Sequence, residues 1–191
     1  MTSHLAIVLP GRMYGPLGPA LRIPVLALQE VGAEVAVTEY PSEPGRDASG
    51  WGPVFDAVNQ QVGSLIRQHR PGRLTFLAKS LGTAALASLP PDLPLAARVD
   101  AMWITPLFGQ AGVRSAAAAR AWPSLVVAGG ADSLHDPAGH QEVCRATGAV
   151  SLVLPRADHN LEVPSDVLAT VEGFRLLAGT ALDFVRRSTA G

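Results

Sequence analysis

Cysteine is nearly absent from this sequence: Cys144 is the only one in 191 residues. An internal disulfide is therefore excluded, and nothing argues against a reducing compartment. Charged residues are scarce too, at 16%, and the 15 basic and 16 acidic side chains form no run of one sign. That leaves no basic groove for a nucleic acid and no cationic helix for a membrane surface, so neither partner is expected. Apolar runs stay far below the roughly 20 residues that span a bilayer. The first residues, Met1-Thr-Ser-His-Leu-Ala-Ile-Val-Leu9, lack the basic start and long apolar core of a secretory signal, and a cytoplasmic protein is expected. Lysine occurs once, at Lys79, among arginines.

What is present is apolar: 48% of the residues are hydrophobic. A chain of this length buries roughly 70% of its extended-chain surface, enough for a core without staples. With no repeat or linker in view, one domain over residues 1–191 is expected. Leu5 to Leu9 is apolar throughout, as a strand covered on both faces should be. Leu17 to Val31 reads as a helix disturbed early by Pro19 and Pro24 and stopped by Gly32. Glu34 to Tyr40 alternates and suits a strand near a sheet edge. Pro41 to Pro53 is a surface loop, and Val54 to His69 a helix carried by Val54, Val58, Val62, Leu65 and Ile66.

Leu74 to Ala78 is a third strand, followed by a helix to about Leu89 and a turn at Pro90 to Pro94. Val99 to Ile104, Ser124 to Ala128 and Ser151 to Leu154 are three further strands. Pro137 to Thr147 is a helix with Asp136 as N-cap and Pro137 at its first position, and Pro164 to Arg187 closes the chain as a long helix. The alternation predicts an α/β three-layer sandwich, a mostly parallel six-stranded sheet with helices on both faces.

The chain is organised around Arg73-Leu-Thr-Phe-Leu-Ala-Lys-Ser-Leu-Gly-Thr-Ala-Ala-Leu86. A buried strand passes abruptly into a helix-forming run, and Ala78-Lys79-Ser80-Leu81-Gly82 spans the bend. Residues two before and two after the serine must be small, because strand and helix backbones nearly touch there. Such a bend lifts the Ser80 hydroxyl clear and points the first helix N–H groups at whatever it attacks. The pattern resembles the nucleophile elbow of the α/β-hydrolase superfamily, with Ala78 where that family usually has glycine.

The resemblance implies an acid and then a histidine, each after a later strand. Asp132 follows the fifth strand in Val126-Val127-Ala128-Gly129-Gly130-Ala131-Asp132, similar to the family's acid turn. His159 follows the sixth in Ala157-Asp158-His159, similar to its histidine segment. A serine hydroxyl needs a base to take its proton, and a histidine held by a carboxylate is that base. Asp136 is an alternative acid, better read as a helix cap, and Asp158 suits a local turn. His135 and His140 fit no familiar metal-ligand spacing, so no metal or cofactor is expected. Cys144 reads as packed against the sheet.

By the same resemblance, the oxyanion hole uses the N–H groups of Leu81 and of Arg12, with Met13 as the alternative to Arg12. The Arg12 side chain is either an anion ligand or a solvated loop charge. Met13, Tyr14, Leu107 and Phe108 are substrate-pocket candidates, with Trp51 and Thr105 beside them; each can equally be core. Phe108 to Pro123 is too short for the lid domain many members insert there. A lidless, dienelactone-hydrolase-like serine hydrolase is implied, acting on a small or medium carboxylic ester, or a thioester or lactone. Acyl transfer on the same triad, and a binding protein with a relic triad, are the alternatives.

Overall fold

In the computed structural model, which describes residues 3–41, 45, 50–91 and 93–187, six strands join in one sheet in which every ladder is parallel. The strands are β1 (His4–Leu9), β2 (Glu34–Val37), β3 (Arg73–Lys79), β4 (Arg98–Ile104), β5 (Ser124–Gly129) and β6 (Val150–Leu154), laid out as β2-β1-β3-β4-β5-β6. Six helices alternate with them: α1 (Pro19–Glu30), α2 (Trp51–His69), α3 (Leu81–Ala87), α4 (Ala111–Arg120), α5 (Pro137–Thr147) and α6 (Val167–Arg187). The three-layer α/β architecture expected from the sequence is what forms.

Period-two alternation assigns the two faces. On β3, Leu74, Phe76 and Ala78 pack toward α2, α3, α4 and α5, together with Leu5, Ile7, Ala101, Trp103 and Val126. Leu77 points the other way, joining Ala6, Val8, Met102, Ile104 and Val127 under α1 and α6. The chain leaves β1 for edge strand β2 and returns past β1 to β3, so the order of strands reverses between β1 and β3. In open parallel sheets, the carboxyl ends of the strands at such a reversal form a natural binding crevice. Ser80 stands at the end of β3 and the Pro10–Tyr14 loop at the end of β1.

Several boundaries differ from expectation, each for a local reason. Helix α2 starts at Trp51, not Val54; Pro53 is tolerated because first-turn N–H groups have no partner inside a helix. Strand β2 stops at Val37, yet the Thr38 N–H and hydroxyl both donate to the Val8 carbonyl, at 3.0 and 3.2 Å. Helix α4 lies in a segment to which the sequence reading assigns no element. Its alanine-rich segment has high helix propensity, and Val113 and Ala117, four apart, bury one face. Helix α6 starts at Val167, after Pro164, because the Asp166 carboxylate accepts from Ala169 N–H at 3.0 Å and caps the first turn. Most of the Pro41–Pro53 loop and residue 92 of the Pro90–Pro94 turn lie outside the described residues.

Candidate active site

Strand β3 ends at Lys79 and α3 begins at Leu81, so Ser80 alone takes the reversal, with φ 51° and ψ −115°. Positive φ is strained for a residue with a side chain and persists only where the surroundings impose it. Here the Ser80 N–H donates to the Ile104 carbonyl at 3.0 Å, while the Ser80 carbonyl accepts from Thr83 N–H at 2.8 Å and from the Thr83 hydroxyl at 2.6 Å. A Cβ on Gly82 would lie 2.0 Å from the Leu9 carbonyl oxygen, which explains the glycine two residues on. Ala78 is fully buried with its methyl accommodated.

The acid and the histidine meet because the turns after β5 and β6 are stitched together. Gly130 N–H donates to the Leu154 carbonyl at 2.8 Å and Ala131 N–H to the Ala157 carbonyl at 2.9 Å. Gly129 permits the approach: a Cβ there would lie 2.3 Å from the Asp158 carbonyl oxygen. His159 Nδ1 is consequently 2.8 Å from Asp132 Oδ2, and His159 Nε2 is 2.7 Å from Ser80 Oγ. Donation from Nδ1–H to the carboxylate leaves Nε2 as the acceptor for the serine hydroxyl.

The Asp132 side chain is 2% exposed and that of His159 29%. Burial by itself pushes the Asp132 carboxyl up. Hydrogen bonds from His159 and from Leu134 N–H, with the electrostatic pull of His159 and Lys79, outweigh it and hold the pKa below the usual carboxylate value. The group behind the imidazole is therefore an anion at neutral pH.

The other acids are occupied locally. Asp158 Oδ1 accepts from Asn160 and Glu162 N–H groups at 2.7 and 3.1 Å, the local turn expected of it. Asp136 caps α5 by accepting from Ala138 N–H at 3.1 Å. His135 and His140 turn their rings toward one another, 3.3 Å between nitrogens, and His140 reaches the Ser151 hydroxyl at 2.8 Å. Among the described residues, no group of three or more His, Cys, Asp or Glu side chains could hold a metal ion.

Leu81 N–H is the first of α3 and so has no carbonyl partner within the helix. Arg12 lies in the loop between Gly11 and Tyr14, where Tyr14 N–H donates to the Gly11 carbonyl at 3.3 Å; a Cβ on Gly11 would be 3.5 Å from Ser80 Cβ. Met13, with φ 56°, is 81% exposed on the same loop. Leu107 lines a hollow of about 340 Å³ with Gly109, Gln110, Ser133, Leu134 and His135, immediately beside the acid turn. Phe108 is corrected: it is 1% exposed with its ring 5.8 Å from that of Trp103, and it fills the core instead of lining an approach. Trp51 packs on Phe55 at the start of α2. Larger hollows of about 480 Å³, beside Arg70 and Ala97 and beside Leu89 and Trp122, are lined by residues away from Ser80, Asp132 and His159.

Two supporting residues, Thr83 and Tyr40, have no site role in the sequence reading, and Thr105, a pocket candidate there, is buried and plays another part. Thr83 links the elbow to the loop after β4, since its oxygen also accepts from Leu107 N–H at 3.2 Å. Tyr40 donates to the Pro10 carbonyl at 2.6 Å and anchors the loop that carries Arg12. Thr105 has φ 42°, an outlier for a β-branched residue, and takes a hydrogen bond from Lys79. A buried hydroxyl among alanines in α3 was the one visible hint, at Thr83.

No family model matches the chain, and no curated protein matches it. Solved structures do. A lidless α/β serine hydrolase from Xanthomonas campestris superposes over 98% of this chain and 83% of its own, with TM-score 0.65 and 17% identity. Est1E from Butyrivibrio proteoclasticus, with ferulic acid bound, superposes over 100% and 91%, with TM-score 0.70 and 10% identity. An α/β serine hydrolase homologue from Coxiella burnetii covers 94% and 85%, with TM-score 0.68 and 15% identity. Such likenesses speak to architecture, and together with the sheet order they give this chain the α/β-hydrolase fold, with the single helix α4 between β4 and β5.

Proposed function

We propose that the chain is a serine hydrolase of small or medium carboxylic esters, working through an acyl-enzyme on Ser80. The observation that carries this reading is the unbroken run of contacts from Asp132 to His159 to Ser80, at 2.8 and 2.7 Å. Ser80 Oγ attacks the ester carbonyl carbon while His159 Nε2 takes the hydroxyl proton. Asp132 holds the imidazole by Nδ1–H and stabilises the imidazolium that forms. Leu81 and Arg12 N–H groups receive the oxyanion, each worth about 3 kcal/mol in the transition state. Collapse breaks the ester C–O bond, and the proton on His159 leaves with the alcohol. Water then gives a proton to His159, attacks the acyl carbon and releases the acid, returning the proton to Ser80.

The hollow beside Leu107 and Leu134 is the proposed seat for the acyl or alcohol group. That Est1E holds ferulic acid on the same fold supports a carboxylic substrate class. The test is turnover of p-nitrophenyl esters of graded acyl length by the wild-type chain and by Ser80→Ala. The variant is expected to lose at least about 10⁴-fold in kcat/KM. Equal turnover by both, or none by a well-folded wild-type chain across the series, would count against the reading.

A further inference from the structure

Lys79 is the one lysine of the sequence, and it sits next to the serine with only 1% of its surface exposed. Alternation along β3 turns its side chain toward the α1 and α6 face, away from the Ser80 hydroxyl. Three groups surround its ammonium there. Nζ donates to the backbone carbonyl of His159 at 2.9 Å and to the Thr105 hydroxyl at 3.2 Å, and it lies 4.3 Å from the centre of the Tyr14 ring.

Each partner belongs to a different loop at the carboxyl end of the sheet: Tyr14 after β1, Thr105 after β4, His159 after β6. The partners are themselves held in unusual positions. Thr105 keeps a positive φ of 42°. The Tyr14 hydroxyl accepts from Ala20 N–H at 3.0 Å, and a Cβ on Gly18 would strike the ring at 2.4 Å, so only glycine lets the ring lie where it does. A buried lysine is an expensive way to fill space, because desolvation disfavours its charge. A methionine would fill the same volume.

We propose that Lys79 is a positioning residue of the hydrolytic site: its ammonium ties the loops after β1, β4 and β6 together beneath the nucleophile and fixes the backbone of His159. The inference rests on the triad reading above. It also implies an alkaline limit. An ammonium has three N–H groups for its three partners, whereas a neutral amine has two and turns a lone pair toward one of them. Burial lowers the Lys79 pKa from 10.5 to about 8, with Asp132 and Asp158 pulling it back upward. The charged or titratable groups that face it are Asp132 from the β5 turn, Asp158 from the loop after β6 and Tyr14 from the loop after β1, the last with its own pKa raised chiefly by burial. Activity should therefore decline as pH rises through about 8 while the triad is intact.

The experiment compares wild type, Lys79→Met and Lys79→Arg in two readouts. In steady-state kinetics on a short p-nitrophenyl ester, Lys79→Met is expected to lose about 10- to 100-fold in kcat with little change in KM. Its alkaline decline should vanish, and Lys79→Arg, which stays charged, should recover part of kcat and move the decline upward. In amide hydrogen exchange, Ala157 to Leu161 should exchange faster in Lys79→Met while α1 and α6 keep their protection. Wild-type kcat and wild-type exchange in Lys79→Met would overturn the proposal, as would a loss spread over the whole chain. Should the wild-type chain show no esterase activity, the triad reading fails by itself, and the exchange comparison still decides whether Lys79 holds the histidine loop.

Discussion

Asp132 gives one oxygen to the imidazole and the other to Leu134 N–H, and its side chain is almost wholly enclosed. An asparagine at that place has nearly the same shape but lacks the charge, and its amide N–H₂ cannot accept from Nδ1–H. Asp132→Asn is therefore expected to fold normally and to lose about 10⁴-fold in kcat, because the imidazole is left in the wrong tautomer; steady-state kinetics beside a thermal melt checks this. Lys79 gives a second prediction, in stability. Its pKa is lowered on folding, so the penalty for its buried charge is fully present below pH 8 and is relieved as pH rises from about 8 to 10.5, where the unfolded chain keeps a proton the folded chain has released. Wild type should gain up to about 3 kcal/mol relative to Lys79→Met over that window in urea unfolding. Activity and stability then move in opposite directions with pH. The proposed triad was legible because each member follows an apolar strand in a short motif with its own chemistry. The lysine's role was not: its partners, 26 and 80 residues further on, are brought to it only by the sheet.

Between elements, the site depends on two places where backbone meets backbone. Gly82 brings α3 against the end of β1, and Gly129 brings β5 against the turn after β6; a methyl at either would fall at 2.0 or 2.3 Å from a carbonyl oxygen. Backbone has little room to yield, so Gly82→Ala and Gly129→Ala are each expected to lower stability by about 3 kcal/mol or more. Gly129→Ala should also reduce kcat, since it separates the acid from the histidine. Chemical denaturation read against activity distinguishes the two effects. Strands and the better helices could be read from the sequence because periodicity and caps are local: α5 begins at Pro137 and Asp136 caps it, as the residues announce. Helix α4 could not, since a run of alanines has propensity without a conspicuous apolar stripe, and only Val113 and Ala117 mark its buried side. Phe108 was misassigned for a similar reason. An aromatic residue just past a strand end can face a crevice or a core, and here the Trp103 ring takes it inward.

Across the whole molecule, one parallel sheet separates two apolar cores, and both cores converge on the strand ends where Ser80, Asp132 and His159 meet. The reversal between β1 and β3 sets the elbow beside the Pro10–Tyr14 loop, while the turns after β5 and β6 bring Asp132 and His159 from the other side. No described helix is long and apolar enough to cross a membrane. Between β4 and β5 the described residues form α4 alone, and the serine is expected to be open to reagents in solution. The most direct measurement is therefore reaction of the folded chain with a fluorophosphonate, with the adduct located by peptide mass spectrometry. The account predicts a single adduct on Ser80, formed much more slowly in His159→Ala and absent in Ser80→Ala; a folded wild-type chain that stays unmodified, or carries the adduct elsewhere, would contradict it.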